Sequence, residues 1–133
     1  MFKTVLFPID HSRTSQDVAD KVAELVKFCQ GRLVVMTVSK SAEDSANENA
    51  VPEAIAEQLL ASASEIFAKW DLEIETIHRH GKPAFCICDV ADELAVDLII
   101  MGCRGVGLSE DHGEKSVSTR VINLAPCPVL VIP

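Results

Sequence analysis

The sequence predicts an α/β chain folded as a single doubly wound domain, a five-stranded parallel sheet with helices on both faces. Three observations lead there. Short apolar runs alternate with stretches of helical period along all 133 residues. Two of those runs, "RLVVMTV" and "VDLIIMG", are almost wholly apolar, as strands buried on both faces of a parallel sheet are. The intervals between runs fit right-handed crossover helices, and the chain is too short to give two domains a core each.

The order reads βαβαβαβαβ. "KTVLFPI" is the first strand, closed by Asp10. "TSQDVADKVAELVKFCQG" follows as a helix, with Val18, Val22, Leu25, Val26 and Cys29 at helical spacing, Ser15 as its cap and Gly31 at its end. "RLVVMTV" is the second strand. "SKSAEDSANENAVPE" is polar and acidic, so 41–52 reads as a mobile surface loop within the 1–133 domain. Helical period returns through Ile55, Leu59, Ala63, Ile66, Phe67 and Trp70. "LEIETIH" is a third strand, polar enough to lie near a sheet edge. Gly81 and Pro83 open the third helix, "GKPAFCICDVADELA". "VDLIIMG" is the fourth strand. A glycine-rich loop leads into a short helix around "SVSTRVINLA", and "CPVLVIP" is the fifth strand.

A net charge of −8 argues against non-specific binding to nucleic acid or to anionic membrane, both of which need basic stripes. No apolar stretch approaches the roughly 18 residues of a membrane span. "MFKTVLFPID" carries one lysine and no small-residue cleavage site, so it reads as a strand and not as a signal peptide. Five unpatterned cysteines give no disulfide framework, and a reducing cytoplasm is the expected location.

In open parallel sheets, ligands bind beyond the carboxyl ends of the strands, where the strand order reverses. "PIDHS" leaves Asp10, His11 and Ser12 at such an end, and "MGCRGVGLSEDHGEKSVSTR" follows another. Gly102 and Gly105 let a ligand approach the backbone closely. Helix-opening amides with the hydroxyls of Ser116 and Ser118 make a phosphate site, to which Arg104 and Lys115 add charge. Asp10 suits ribose hydroxyls better than phosphate. Plainer roles stand beside these: Asp10 capping a turn, Ser116 as an N-cap, Arg104 and Lys115 as solvated charges, His11 at the surface. "GEKS" lacks P-loop spacing and "GCRGVG" is not G-x-G-x-x-G, so neither common nucleotide motif is met.

"VLFPIDHS", "GKPAFCICDVADELAVDLIIMG" and "GCRGVG…SVSTRVINLAPCPVLVIP" together resemble a universal stress protein over essentially the whole chain. The resemblance implies a strand order of 3-2-1-4-5. It also implies an adenosine pocket lined by Pro8, Asp10, Val38 and Met101, with Asp10 at the ribose and the Val38 backbone at the adenine. The ATP-binding branch of the family carries G-x2-G-x9-G-[ST]. Gly102 and Gly105 match its first two glycines, Lys115 stands where the third would be, Ser116 matches the hydroxyl, and Val117 and Ser118 the positions after it. A glycine needed there for positive φ would make lysine cost about 1 kcal/mol or more. If only the amide matters, Lys115 keeps it and adds a charge. The resemblance therefore implies binding of ATP, ADP or AMP, with Mg only beside a triphosphate. It also implies a homodimer through residues 127–133 and a role in stress regulation. The residues offer no positioned general base and no nucleophile–base pair, so an enzyme is not expected. Slow hydrolysis or self-phosphorylation on Ser116 or Ser118 is the most catalysis the resemblance allows.

Two alternatives remain open. Lys115 admits a dimeric interaction module without nucleotide. Cys103, in the glycine loop beside Arg104, admits a thiol redox sensor. Cys86 and Cys88 diverge by about 200° on one helix, so they neither chelate one ion nor bond to each other. His78 and His80 share one strand face, yet spacing offers them no third ligand and Asp71 is distant. No metal site is expected.

Overall fold

Among the described residues, nine elements alternate in the predicted order: β1 (Thr4–Pro8), α1 (Thr14–Cys29), β2 (Arg32–Ser39), α2 (Glu53–Ala68), β3 (Ile74–His80), α3 (Pro83–Glu93), β4 (Leu98–Gly102), α4 (Val117–Leu124) and β5 (Val129–Ile132). The computed structural model describes residues 2–11, 14–40, 51–102 and 117–133, with backbone alone for 14–17. The strands form one sheet, ordered β3-β2-β1-β4-β5 and parallel throughout. No helix among the described residues is long and apolar enough to cross a membrane.

Period-2 alternation divides the strand side chains between two cores. Val5, Phe7, Leu33, Val35, Leu98 and Ile100 face α1 and α2, where Val22, Val26, Leu60 and Phe67 meet them. Leu6, Val34, Met36, Ile99 and Met101 face α3 and α4, against Ile87, Val90 and Val121. This is why the middles of the central strands, such as Leu33 to Met36, are apolar at successive positions: neither face is left to solvent. The Phe7 and Phe67 rings meet edge to face with centroids 6.2 Å apart, tying β1 to α2. The polar third strand is an edge strand, as its composition foretold.

Three local expectations are corrected. The stripe that α2 buries is Ala56, Leu60, Ala63 and Phe67, while Ile55 and Leu59 are only half-buried. Ala63 and Phe67 are buried as expected, and the i, i+3/i+4 row that leads to Phe67, against Phe7, runs back through Leu60 and Ala56 and not through Leu59 and Ile55. Ser15 lies inside the first turn of α1, which begins at Thr14. Gly31 is not the left-handed residue that ends α1; Gln30 is, at φ 55°. The Gln30 amide donates to the Lys27 carbonyl and the Gly31 amide to that of Val26, a Schellman closure. The same pair of bonds ends α2 around Asp71 (φ 60°) and α3 around Ala95 (φ 50°). Gly31 is needed for another reason: a Cβ there would stand 2.5 Å from the Phe2 carbonyl oxygen.

Of the loop expected at 41–52, residues 41–50 lie outside the described residues. Its end is firmly held. Val51 is buried, bridges in parallel to Ser39, and donates its amide to the Val38 carbonyl at 2.8 Å.

Candidate functional site

The candidate site lies where strand order reverses, at the carboxyl ends of β1 and β4. These strands pair only at Val5–Leu98 and Leu6–Ile99, although both run on for two or three residues. The cause is legible in the hydrogen bonds. The Asp97 amide donates to the Thr4 carbonyl, and the Ile9 amide to that of Met36. Backbone groups alternate sides along a strand, so even-numbered residues of β1 address β4 and odd-numbered ones address β2. The next rung toward β4 needs an amide at position 8, and Pro8 has none. The ladder stops there and the strands part.

On the β2 side the chain stays fixed for longer. The Ile9 amide is bound by Met36, and the buried Thr37 hydroxyl donates to the Ile9 carbonyl at 2.9 Å. The residue before Asp10 is thus held through both backbone groups, which sets the direction in which Asp10 leaves the sheet. Asp10 is partly exposed and His11 exposed.

Val38 and Met101 are buried, at 5% and 6% exposure, and Gly102 is half-buried. Pro8 is level with Met36 in the β1–β2 register, and extending the Leu6–Ile99 pairing places Met101 opposite it. Val117 and Ser118 form the first turn of α4, with Ser118 at 8% exposure. The fold therefore gathers Pro8, Asp10, Val38, Met101 and Gly102 at one end of the sheet, with α4 beginning after the loop that follows β4. Cys103, Arg104, Gly105, Lys115 and Ser116 lie outside the described residues.

The Val38 carbonyl carries a feature that spacing does not reveal. It accepts the Val51 amide, so a nucleobase reaching for that oxygen must use its second lone pair.

None of the described cysteines is in a disulfide. Burial first, and then the carboxylate of Asp89, pushes the Cys86 and Cys88 thiols up; burial and then Asp97 do the same for Cys127. These three are poor nucleophiles at neutral pH.

Sequence reading missed Asp97. Its Oδ2 accepts the amides of Lys3 (3.1 Å) and Thr4 (2.9 Å), while its own amide donates to Thr4. It binds β1 to β4 at the end of the sheet opposite the site. The sequence places Asp97 inside the fourth strand, which in fact starts at Leu98, and nothing local tells that its carboxylate caps a strand 93 residues away.

The model of the universal stress protein family matches residues 1–133. A universal stress protein of Synechocystis sp. is 47% identical over 137 residues, spanning 100% of this chain and 87% of the relative. One from Bacillus subtilis is 31% identical over 147 residues, spanning 99% of each. Among solved structures, a universal stress protein in complex with cAMP superposes with a TM-score of 0.83 at 19% identity, covering 99% of this chain and 97% of the other. A universal stress protein from Archaeoglobus fulgidus in complex with dAMP gives a TM-score of 0.75 at 23% identity, covering 100% and 98%.

Proposed function

This chain belongs to the universal stress protein family, and from that premise we propose that it is a cytoplasmic, homodimeric stress-response regulator that binds an adenine nucleotide where β1 and β4 part. The observation that carries the reading is the early end of the β1–β4 ladder at Pro8, which leaves the two strand ends unpaired at the switch point, where ligands of parallel sheets bind, with Asp10 just beyond β1. In this reading Asp10 accepts from the ribose hydroxyls, and Met101 and Pro8 flank the base. The Val38 backbone meets the adenine edge, its carbonyl shared with Val51. Gly102, Gly105 and the opening of α4, with Lys115, Ser116, Val117 and Ser118, receive phosphate, and Arg104 and His11 lie alongside.

The relatives solved with cAMP and dAMP carry one phosphate each. That supports AMP as a ligand; ADP and ATP belong to the same proposal through the phosphate-receiving end, with Mg accompanying only the triphosphate. The nucleotide is a signal or a structural ligand, and we assign no catalytic residue. β5 is an edge strand, and Leu130, Ile122 and Leu124 near it expose 41%, 54% and 49% of their surfaces. Pairing of residues 127–133 with a second copy would cover that edge.

The test begins with the purified protein and nothing added. Denaturation and mass spectrometry of the released small molecules should find an adenine nucleotide, or else added AMP, ADP or ATP should raise the thermal midpoint. Asp10→Ala should weaken binding tenfold or more, about the worth of a hydrogen bond to a charged group. No released nucleotide and no shift with any of the three would overturn the reading in favour of the interaction module that Lys115 suggests.

A further inference from the structure

Away from the proposed nucleotide site, the α2–β3 crossover brings together groups that lie far apart in sequence. His78 and His80 share one face of β3, with ring centroids 4.6 Å apart and planes tilted by 35°. Glu53, the first residue of α2, places its Oε2 2.5 Å from His80 Nε2. One turn further on, Glu57 Oε1 stands 3.4 Å from His78 Nδ1. His78 Nε2 lies 2.7 Å from the hydroxyl of Ser39, which is fully buried. One ligand atom each from Glu53, His78 and His80 lie within 4.8 Å of one another.

We propose that Glu53, His78 and His80 bind one divalent transition-metal ion of the zinc type, which clips the start of α2 to the end of β3. Two imidazoles and a carboxylate suit zinc, cobalt or nickel, whereas magnesium and calcium prefer oxygen alone. Bond lengths near 2.0–2.2 Å put tetrahedral ligands about 3.4 Å apart. The cluster reaches that spacing by small rotations of the His80 and Glu53 side chains, which are 48% and 64% exposed. His78, at 15%, is the fixed member.

Each nitrogen of His78 has a partner for the role the other does not take. With Nδ1 on the ion, Nε2–H donates to the Ser39 hydroxyl; with Nε2 on the ion, Nδ1–H donates to Glu57. A metal-bound histidine needs such an outer partner to fix its tautomer. Three protein ligands leave a fourth position for water or for Glu57. The two carboxylates and the chain's net charge of −8 favour a cation. Because Glu53 follows Val51 and Pro52, the clip also steadies the Val51–Val38 bond. Zinc binding here requires no nucleotide.

The test uses the full chain stripped of metal by a chelator. Zinc is titrated at neutral pH against a chromophoric competitor, with the thermal midpoint measured in parallel. Wild type should take one zinc per chain, with a rise in midpoint. Glu53→Ala and His80→Ala, at mostly exposed side chains, should keep the metal-free midpoint and lose the stoichiometric step. Glu57→Ala should bind about tenfold more weakly. The five cysteines are rival ligands, so the His78→Asn/His80→Asn double variant decides between them. Unchanged zinc affinity in that variant would put the ion on thiols and overturn the site. Failure of wild type to compete for micromolar zinc would overturn it too, leaving the cluster as His–Glu ion pairs.

Discussion

The two ends of this parallel sheet are built in opposite ways. At the amino end, β1 and β4 are held together: Asp97 takes two amides of the β1 start and returns its own to Thr4. The Phe2 carbonyl presses so closely on Gly31 that no side chain fits there. Three Schellman turns, at Gln30, Asp71 and Ala95, deliver their helices into β2, β3 and β4 at this same end. At the carboxyl end the same two strands part after two paired residues, because Pro8 has no amide to offer. A strand pair can open toward a ligand at one end when it is fastened at the other. The fastening contacts and the proposed binding site thus lie at opposite ends of the same two strands.

Breaking the fastened end should cost stability while leaving ligand binding intact. Asp97→Ala is expected to have the largest effect, about 2–3 kcal/mol in urea unfolding, since charge-assisted bonds to two backbone amides disappear. Asp97→Asn keeps an acceptor and should lose about half as much. If Asp97→Ala left the unfolding midpoint where it was, the amino end would not be the fastening point. Gly31→Ala comes next, at about 1–3 kcal/mol, because the added Cβ forces the Phe2 and Lys3 carbonyls away.

Those predictions also mark what the chain's own pattern discloses. The alternation of elements was legible because strands buried on two faces must be apolar throughout, as Leu33 to Met36 are. The sheet order agrees with the one the family resemblance implied. The placement of Asp10 across from the loop after β4 was legible because ligands gather where the strand order of a parallel sheet reverses; Pro8, Val38 and Met101 come only from the family resemblance. Less legible was whatever depends on two remote segments meeting. The join of Asp97 to Thr4, the pinning of Val38 by Val51, and the approach of Glu53 to His80 are each set by a crossover and not by local spacing. Gln30 and Gly31 show the limit most clearly. Glycine beside a helix end suggests a left-handed cap, yet the strained φ falls on glutamine, and the glycine answers a carbonyl from another strand.

The open end is tested by giving β1 back its missing donor. Pro8→Ala supplies an amide aimed at β4, where the next carbonyl in register is that of Ile100. One added hydrogen bond, worth about 1 kcal/mol, is offset by the greater freedom of the unfolded chain once proline is gone. Stability should therefore move little, while a longer β1–β4 ladder narrows the space between the strand ends and lowers AMP affinity by about tenfold in calorimetry. A large loss of stability with normal AMP binding would reverse the roles assigned to the two ends.

The smallest effect should come from the strain at the fastened end. Gln30 and Ala95 hold φ values of 55° and 50°, where an L-residue costs roughly 1 kcal/mol or more. Glycine removes that cost but adds freedom to the unfolded chain. Gln30→Gly and Ala95→Gly should each raise the urea midpoint by an amount equivalent to less than about 1 kcal/mol, with the m-value unchanged. The neighbouring pair then gives a clean contrast: glycine at position 30 stabilises, and alanine at position 31 destabilises. Equal signs at the two positions would mean that the turn yields as a unit, and that the amino end is less rigid than its hydrogen bonds imply.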